Sequence, residues 1–294
     1  MSDNTLGIAI ILGIISIAAF GGVKNSQNSG FLSPQPLTQE QKQANIERQI
    51  QESQTQIDNL KKQIQLEEDE KTQSQYKGIV KIQFVNKSND PLLEYIVLNM
   101  NSNSTTSVPI TGWTLKSLSS GTSVTIPKGT YLIFSGSINT EDDVILIGGD
   151  TVYLSTGVSP NGYSFKLNKC SGYMSQFQNF TPYLYTNCPA PRDENLSSIP
   201  NRIENDECFD YLNSFSLCRI QTGNLPLGLS SECQKFIYEK INYKSCVDVH
   251  KNDKDFYLHE WRIYLKRSDH IWKDRRETIV LYDNAGKIVD TLKY

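Results

Sequence analysis

The stretch Pro109–Leu115 reads Pro-Ile-Thr-Gly-Trp-Thr-Leu and places a tryptophan directly after a glycine. A glycine allows the backbone to turn tightly, and the indole that follows it can then be buried in a hydrophobic core. A strand-like run lies upstream at Glu94–Leu98, and a second one, Tyr131–Phe134, follows a Pro-Gly turn downstream. This order of strand, turn with tryptophan, turn and strand predicts a β-domain centred on Gly112 and Trp113.

Further strands are predicted from apolar residues that recur with a period of two. Val80, Ile82 and Phe84 alternate with polar residues, which predicts that these three side chains share one buried face. Apolar runs at Val144–Ile147 and Val152–Leu154 are separated by a Gly-Gly-Asp hairpin turn. Short strands separated by turns at such intervals indicate an all-β sandwich.

The C-terminal part of the chain adds a second pattern. Trp272 is followed by a strand-like run at Glu277–Asp283, and a turn then leads into Gly286–Asp290. Together with the Gly-Trp turn, this pattern resembles the lamin-tail domain, a small immunoglobulin-like β-sandwich, in a bacterial-type membrane-anchored protein. The resemblance implies a structural core that contains Gly112, Trp113, Trp272 and Leu281.

The N-terminal run Leu6–Val23 is uncharged and is just long enough to cross a bilayer. A cleaved signal peptide is the alternative, because small residues at Ser16 and Ala18 have the required spacing. Lys24 follows the run, and the positive-inside bias would leave the rest of the chain in the cytoplasm. Cysteine usage favours the opposite orientation, and we adopt that prediction.

A helix is predicted after a flexible, proline-containing spacer. Thr38 followed by Gln41 forms a capping-box pattern, which marks a helix start. Apolar residues then recur at heptad positions, with Ile50, Ile57 and Ile64 at a, and Ile46, Ser53 and Leu60 at d. This pattern predicts a parallel two-stranded coiled coil and hence a homodimer, although the serine weakens the seam. A solitary helical spacer is the alternative.

The six cysteines all lie between residues 170 and 246, and none is part of a CxxC pair. An even number of clustered cysteines indicates a disulfide framework in an oxidising compartment, with free thiols or a metal site as alternatives. The predicted disulfide cysteines are Cys170, Cys188, Cys208, Cys218, Cys233 and Cys246. Neighbours in sequence would pair Cys170 with Cys188, and the pairing of the other four stays open.

An aromatic stretch lies within the cysteine region. Its members are Tyr173, Phe177, Phe180, Tyr183 and Tyr185. If these side chains are exposed together, they form a binding patch. If they are buried, they form the core of the cysteine region, which is the interpretation that we favour.

The sequence gives little indication of catalysis. A net charge of −3 and a pI of about 5.7 argue against a nucleic-acid partner. The three histidines, His250, His259 and His270, form no HExxH motif, and zinc binding by His250 and His259 with cysteines is the alternative to exposed polar histidines. Glu141–Asp143 with Asp150 could bind calcium, but without EF-hand spacing. We therefore predict no catalytic residue, no metal site and no cofactor.

The predicted fold class is mainly β. It is an immunoglobulin-like, lamin-tail-type β-sandwich, preceded by an N-terminal transmembrane helix and a helical coiled-coil stalk, and it carries a small α-containing, disulfide-rich insertion. The predicted segments are a transmembrane anchor (6–23), a flexible linker (24–37), the stalk (38–75), the first part of the sandwich (76–169), the Cys-rich insertion (170–254) and the last strands of the sandwich (255–294). A separate domain is the alternative to an insertion.

These features predict a non-catalytic, single-pass protein of the cell membrane, with most of the chain extracytoplasmic. It would display the β-domain for adhesion, binding or scaffolding in the cell envelope. Its partners would be the membrane, a second copy of the chain and an unknown protein or glycan ligand. The alternatives are a purely structural envelope component and an accessory or targeting module for a separate secreted enzyme.

Overall fold

A computed structural model describes residues 38–134, 138–197, 199 and 206–294. The chain divides into two compact units, Met1–Lys62 and Gln63–Tyr294. The predicted anchor at Leu6–Val23 lies outside the described residues. Among the helices that are described, none combines the length and the apolarity needed to cross a membrane.

The first described element is helix α1 (Gln39–Thr72). It begins with the capping box predicted from the sequence. The backbone N–H of Thr38 donates to Oε1 of Gln41 at 3.1 Å, and the N–H of Gln41 donates back to Oγ1 of Thr38 at 3.4 Å. None of the residues of α1 is buried, and the a-position isoleucines are 43–63% exposed. The aliphatic stripe of α1 therefore has no partner within the described part of this chain.

Eleven strands are described, and most of them belong to two sheets. The strands are β1 (Val80–Asn86), β2 (Tyr95–Met100), β3 (Val108–Pro109), β4 (Thr114–Ser117), β5 (Ser123–Thr125), β6 (Ile145–Leu146), β7 (Thr151–Ser155), β8 (Phe165–Asn168), β9 (Tyr257–Tyr264), β10 (Thr278–Tyr282) and β11 (Ile288–Lys293). One sheet has the order β1-β2-β7-β9-β8, and another has the order β11-β10-β4-β5. The short strands β3 and β6 pair separately.

One hydrophobic core takes side chains from both sheets. Trp113 is fully buried in it, with its ring centroid 5.3 Å from that of Tyr76. Trp272 and Leu281 belong to the same core. Gly112 has a φ of +84°, a conformation that favours glycine, and a Cβ there would meet the side chain of Asn284 at 2.7 Å. The glycine therefore permits the tight turn that directs the indole inwards.

The prediction of a mainly β, immunoglobulin-like sandwich is wrong. Helix makes up 30% and strand 23% of the structure, so the fold is mixed α and β. Strands β7 and β9 pair in parallel, whereas immunoglobulin-type sheets are antiparallel. The first described helix, α1, is polar and is not a transmembrane helix. A period-two pattern identifies strands, but it does not measure how much helix lies between and before them.

The cysteine region forms a disulfide module between β8 and β9. Its described residues form three α-helices, α2 (Asp206–Ser214), α3 (Ser231–Lys240) and α4 (Tyr243–His250), and 3-10 turns that include Ser171–Gln176. Because β8 and β9 are antiparallel neighbours, with Asn168 opposite Tyr257, the module leaves and rejoins the sheet at adjacent points.

Three disulfides connect the module, and the predicted disulfide framework is confirmed. The bonds join Cys170 to Cys246, Cys188 to Cys218 and Cys208 to Cys233. The prediction of a Cys170–Cys188 bond is wrong. Helix α4 packs against the 3-10 helix that follows Cys170, so the partner in space is 76 residues away in sequence. All six sulfurs lie in a second hydrophobic core.

Candidate functional site

Three aromatic rings form a row on the outer face of the five-stranded sheet. Phe84 and Tyr95 have ring centroids 6.3 Å apart, and Tyr95 and Tyr153 have centroids 5.8 Å apart. The neighbours of these tyrosines in β2 and β7, Ile96 and Leu154, point into the core. Side chains alternate along a strand, so the tyrosine rings project from the opposite face.

Phe84 reaches this face because of a β-bulge. The pairing of β1 with β2 shifts register between Ile82 and Phe84. A bulge adds one residue to a strand and so reverses the face on which later side chains lie. Ile82 is buried in the core while Phe84 is exposed, so the prediction that Val80, Ile82 and Phe84 share one buried face is wrong for Phe84.

A segment at residues 177–185 lies beside this row, and the predicted aromatic set, which consists of Tyr173 and four residues of this segment, falls into two groups. Phe180 is buried, with its ring centroid 5.8 Å from that of Phe165 in β8, and Tyr173 belongs to the core of the disulfide module. Phe177, Tyr183 and Tyr185 are 65%, 84% and 62% exposed. The predicted set is therefore neither a single patch nor a single core. Two members anchor the chain and three face solvent.

A buried arginine holds the segment in place. Arg262 in β9 donates from Nη1 to the carbonyl oxygen of Pro182 at 2.7 Å and from Nη2 to that of Tyr183 at 3.1 Å. Its Nε donates to Oε1 of Glu260 at 2.6 Å, and its guanidinium lies 4.4 Å from the ring centroid of Tyr153. Burial raises the pKa of Glu260, and the neighbouring guanidinium opposes that shift. One side chain thus connects the aromatic row to the segment.

The row and the exposed members of the segment make up what we call the aromatic surface: Phe84, Tyr95, Tyr153, Phe177, Tyr183 and Tyr185. Burial raises the pKa of Tyr153, and charge interactions with Glu260 and Tyr185 add to the shift. Tyr185 is therefore within electrostatic reach of the row. Single exposed aromatic residues are common, whereas a group of exposed aromatic residues is a candidate binding surface.

An open groove of about 570 Å³ lies at the edge of the aromatic surface. We call it the aromatic groove, and it is lined by Asn86, Lys87, Ser88, Leu93, Tyr95, Asn179, Phe180, Thr181, Pro182 and Tyr183. Its volume lies within the range of about 300–1,000 Å³ that is typical of small-molecule sites. Its lining combines aromatic and aliphatic side chains with amides and hydroxyls.

Asp150, one of the carboxylates considered as calcium ligands, forms hydrogen bonds within the protein instead. Asp150 is fully buried and accepts a hydrogen bond from Nζ of Lys166 at 2.9 Å, while its other oxygen lies 2.9 Å from Nδ1 of His259. An ammonium group already occupies the position that a cation would take. Among the described residues, no group of three or more metal-ligating side chains is suited to a metal ion.

Each histidine is paired with at least one carboxylate, a feature that sequence reasoning missed. Nδ1 of His270 lies 3.1 Å from Oε2 of Glu94, whose other oxygen accepts from the hydroxyl of Thr156 at 2.7 Å. His250 lies between Glu194, at 2.9 Å, and Asp253, at 2.8 Å. These partners are 56 to 176 residues away, except for Asp253. Local spacing could have indicated only that last pair.

No family model matches this sequence, and no curated protein matches it. The resemblance to the lamin-tail domain therefore stays a prediction that rests on the residues quoted above.

Proposed function

We propose that this protein is a non-catalytic binding protein of the cell envelope that holds its ligand on the aromatic surface. The observation that carries the proposal is the exposure of Phe177, Tyr183 and Tyr185 on a segment that Arg262 fixes in place. Exposed apolar rings are unfavourable in water, and they become favourable when a ligand covers them.

The way the segment is fixed favours binding rather than flexibility. Phe180 and Leu184 are buried between the exposed rings, and Arg262 holds the carbonyls of Pro182 and Tyr183. The backbone of the segment is therefore fixed, and a tyrosine side chain has only two χ angles, so it loses little conformational freedom when a ligand is bound. Such preorganisation is a general route to affinity.

The helix α1 would bring two binding surfaces together. Its aliphatic stripe is exposed within the described part of the chain, and the a and d positions of two parallel copies would cover it. In such a dimer, Lys42 at a g position faces Glu47 at an e position of the second copy, which is an attractive charge pair. Two linked sites gain avidity because the second binding event becomes intramolecular.

The proposed location is outside the cytoplasm. Disulfides form and persist in oxidising compartments, and this chain has three. The apolar run at Leu6–Val23 would attach the protein to the cell membrane.

Binding to cell envelopes tests the proposal. Full-length protein in lipid nanodiscs would be mixed with cell envelopes from the source organism after deletion of the gene for this protein. The fraction of protein bound to the envelopes would be measured. We expect the double variant Tyr183→Ala/Tyr185→Ala to bind at least about tenfold more weakly, because such residues are typical binding hot spots. Tyr238→Ala is the matched control, since Tyr238 is half-exposed on α3 and does not line the aromatic groove. Equal binding of all three proteins would contradict the proposal.

A purely structural envelope component is the second candidate, and the exposed stripe of α1 favours it. In that case self-association matters and the aromatic surface does not. Sedimentation of Ile50→Asn/Ile57→Asn should give a monomer where the unchanged protein is a dimer. Envelope retention that depends on these isoleucines, but not on Tyr183 and Tyr185, would favour the structural role. If the unchanged protein is itself a monomer, neither candidate function can depend on a dimer.

A further inference from the structure

The walls of the aromatic groove come from two parts of the fold. One wall is the end of β1 and the start of β2, with Asn86 and Tyr95. The other wall is the 177–185 segment, with Asn179, Thr181 and Tyr183. Both walls are held by contacts beneath them, so the groove is formed before a ligand arrives.

The backbone of the groove walls is already hydrogen-bonded inside the protein. The carbonyl of Thr181 accepts from Oγ of Ser155 at 3.2 Å, and the next two carbonyls accept from Arg262. Pro182 has no N–H. The carbonyl of Leu93 accepts from Nδ2 of Asn86 at 3.3 Å. A peptide that binds by adding a strand needs a free row of backbone groups, so this wall does not suit it.

The groove also lacks a charge that is directed at a ligand. Lys87 is its only charged lining residue among those described. Its Nζ donates to the carbonyl of Asp274 at 2.8 Å and lies 4.6 Å from the ring centroid of Tyr294. The ammonium keeps its charge but is held against Asp274 and Tyr294, neither of which lines the groove. No second charge is available among the described lining residues to hold a phosphate or carboxylate. The lining therefore suits a neutral ligand.

Rings, amides and hydroxyls remain as the recognition groups. The side chains of Asn179 and Thr181 form no hydrogen bond within the described part of the chain, and Tyr183 projects far into solvent. We infer that the aromatic groove binds a neutral oligosaccharide. The apolar faces of the sugar rings pack on Tyr95 and Tyr183, and the sugar hydroxyls bond to the amide and hydroxyl side chains. This inference rests on the proposed binding function and names its ligand.

The test is calorimetric titration of full-length protein in nanodiscs. The probes are three neutral hexasaccharides (cellohexaose, maltohexaose and fully N-acetylated chitohexaose), a hexagalacturonate and a decaproline peptide, each added to about 10 mM, roughly tenfold above a dissociation constant of 1 mM. We expect a neutral hexasaccharide to bind. Tyr183→Ala should weaken that binding about tenfold, Asn179→Ala should weaken it severalfold, and Tyr183→Phe should retain most of it. Tyr238→Ala is the control, and thermal melting of each variant checks folding.

Each contrary result has a definite meaning. Failure of all three neutral sugars to bind, tighter binding of the anionic sugar, or sugar binding that Tyr183→Ala leaves unchanged overturns the inference. Binding of the decaproline peptide alone, if it depends on Tyr183, also overturns it, but leaves the proposed binding function standing. If Tyr183→Ala/Tyr185→Ala also bound cell envelopes as well as the unchanged protein does, the proposed function itself would be overturned.

Discussion

The two-sheet core and the disulfide module are stabilised in different ways. The core around Trp113 is built from apolar side chains of strands and loops, and it includes no cysteine. The module has a smaller core that includes all six cysteines. Small units bury too little surface to be stable on their own, and covalent links compensate for that. One region therefore depends on packing and the other on its redox state, and the two can be tested separately.

The largest expected effect is that of reduction. The bonds close loops of 76, 30 and 25 residues, each worth about 3–5 kcal/mol on chain-entropy grounds. Reduced protein should lose hydrogen-exchange protection in α2, α3 and α4 while β2, β7 and β10 stay protected. Exchange followed by mass spectrometry measures both regions in one sample. Simultaneous loss in the strands would show that the core needs the module.

Trp113→Ala should destabilise the two-sheet core and not the disulfide module. Removing a fully buried indole costs about 3–5 kcal/mol in the free energy of unfolding, enough to unfold a marginal domain. Denaturant unfolding without reductant measures the loss, with Tyr238→Ala as an exposed control. A midpoint close to that of the unchanged protein would mean that the core tolerates the cavity, and packing would then not be its main support.

Arg262→Ala should have a somewhat smaller effect and connects the two regions. It leaves the buried Glu260 without its partner and frees the carbonyls of Pro182 and Tyr183, at a cost of roughly 3 kcal/mol. We expect faster proteolysis near residues 180–184. The double variant Glu260→Leu/Arg262→Met is the control, because it removes both charges and should unfold less readily. Equal stability of both variants would argue against an unpaired-charge effect.

The smallest expected effect is a pH dependence that both regions share. Hydrogen bonding to Glu94 raises the pKa of His270 against the opposing effect of burial. Burial lowers the pKa of His250, but its hydrogen bonds to Glu194 and Asp253 outweigh this, so its pKa is also raised.

A histidine whose pKa is raised in the folded state stabilises the fold when it is protonated. This contribution is fully present below the ordinary histidine pKa of about 6.5, and it is lost as pH rises through the folded-state pKa. The free energy of unfolding should therefore fall between about pH 6 and 8. The loss is less than about 1 kcal/mol per pair, since solvent screens partly exposed pairs. His250→Gln/His270→Gln should flatten the profile, and a profile that rises over this range would contradict the assignment.

Features that depend on neighbours in sequence could be predicted, and features that depend on distant partners could not. The Gly112-Trp113 turn and the capping box of α1 follow from adjacent residues. The disulfide partner of Cys170, the parallel pairing of β7 with β9 and the burial of Arg262 are all set by residues far along the chain. An arginine on the polar side of a strand pattern is expected to face solvent, and here a segment about 80 residues upstream covers it.

The aromatic surface illustrates the same limit. A one-residue bulge after Ile82 moved Phe84 from the predicted buried face to the outer one. Tyr183 and Tyr185 are separated by the buried Leu184, an alternation that the sequence contains. The alternation alone did not indicate whether Leu184 or the two tyrosines would be buried, because that depends on the sheet beneath the segment.

The adjacency of Asn168 and Tyr257 gives the disulfide module the character of an exchangeable cassette. Its entry and exit lie side by side across one strand pair, so a short hairpin joining β8 to β9 would close the same sheet without it. Lineages could lose, enlarge or replace the cassette without rebuilding the core around Trp113. The 177–185 segment lies within the cassette, so the proposed binding surface could diversify while the two sheets stay unchanged.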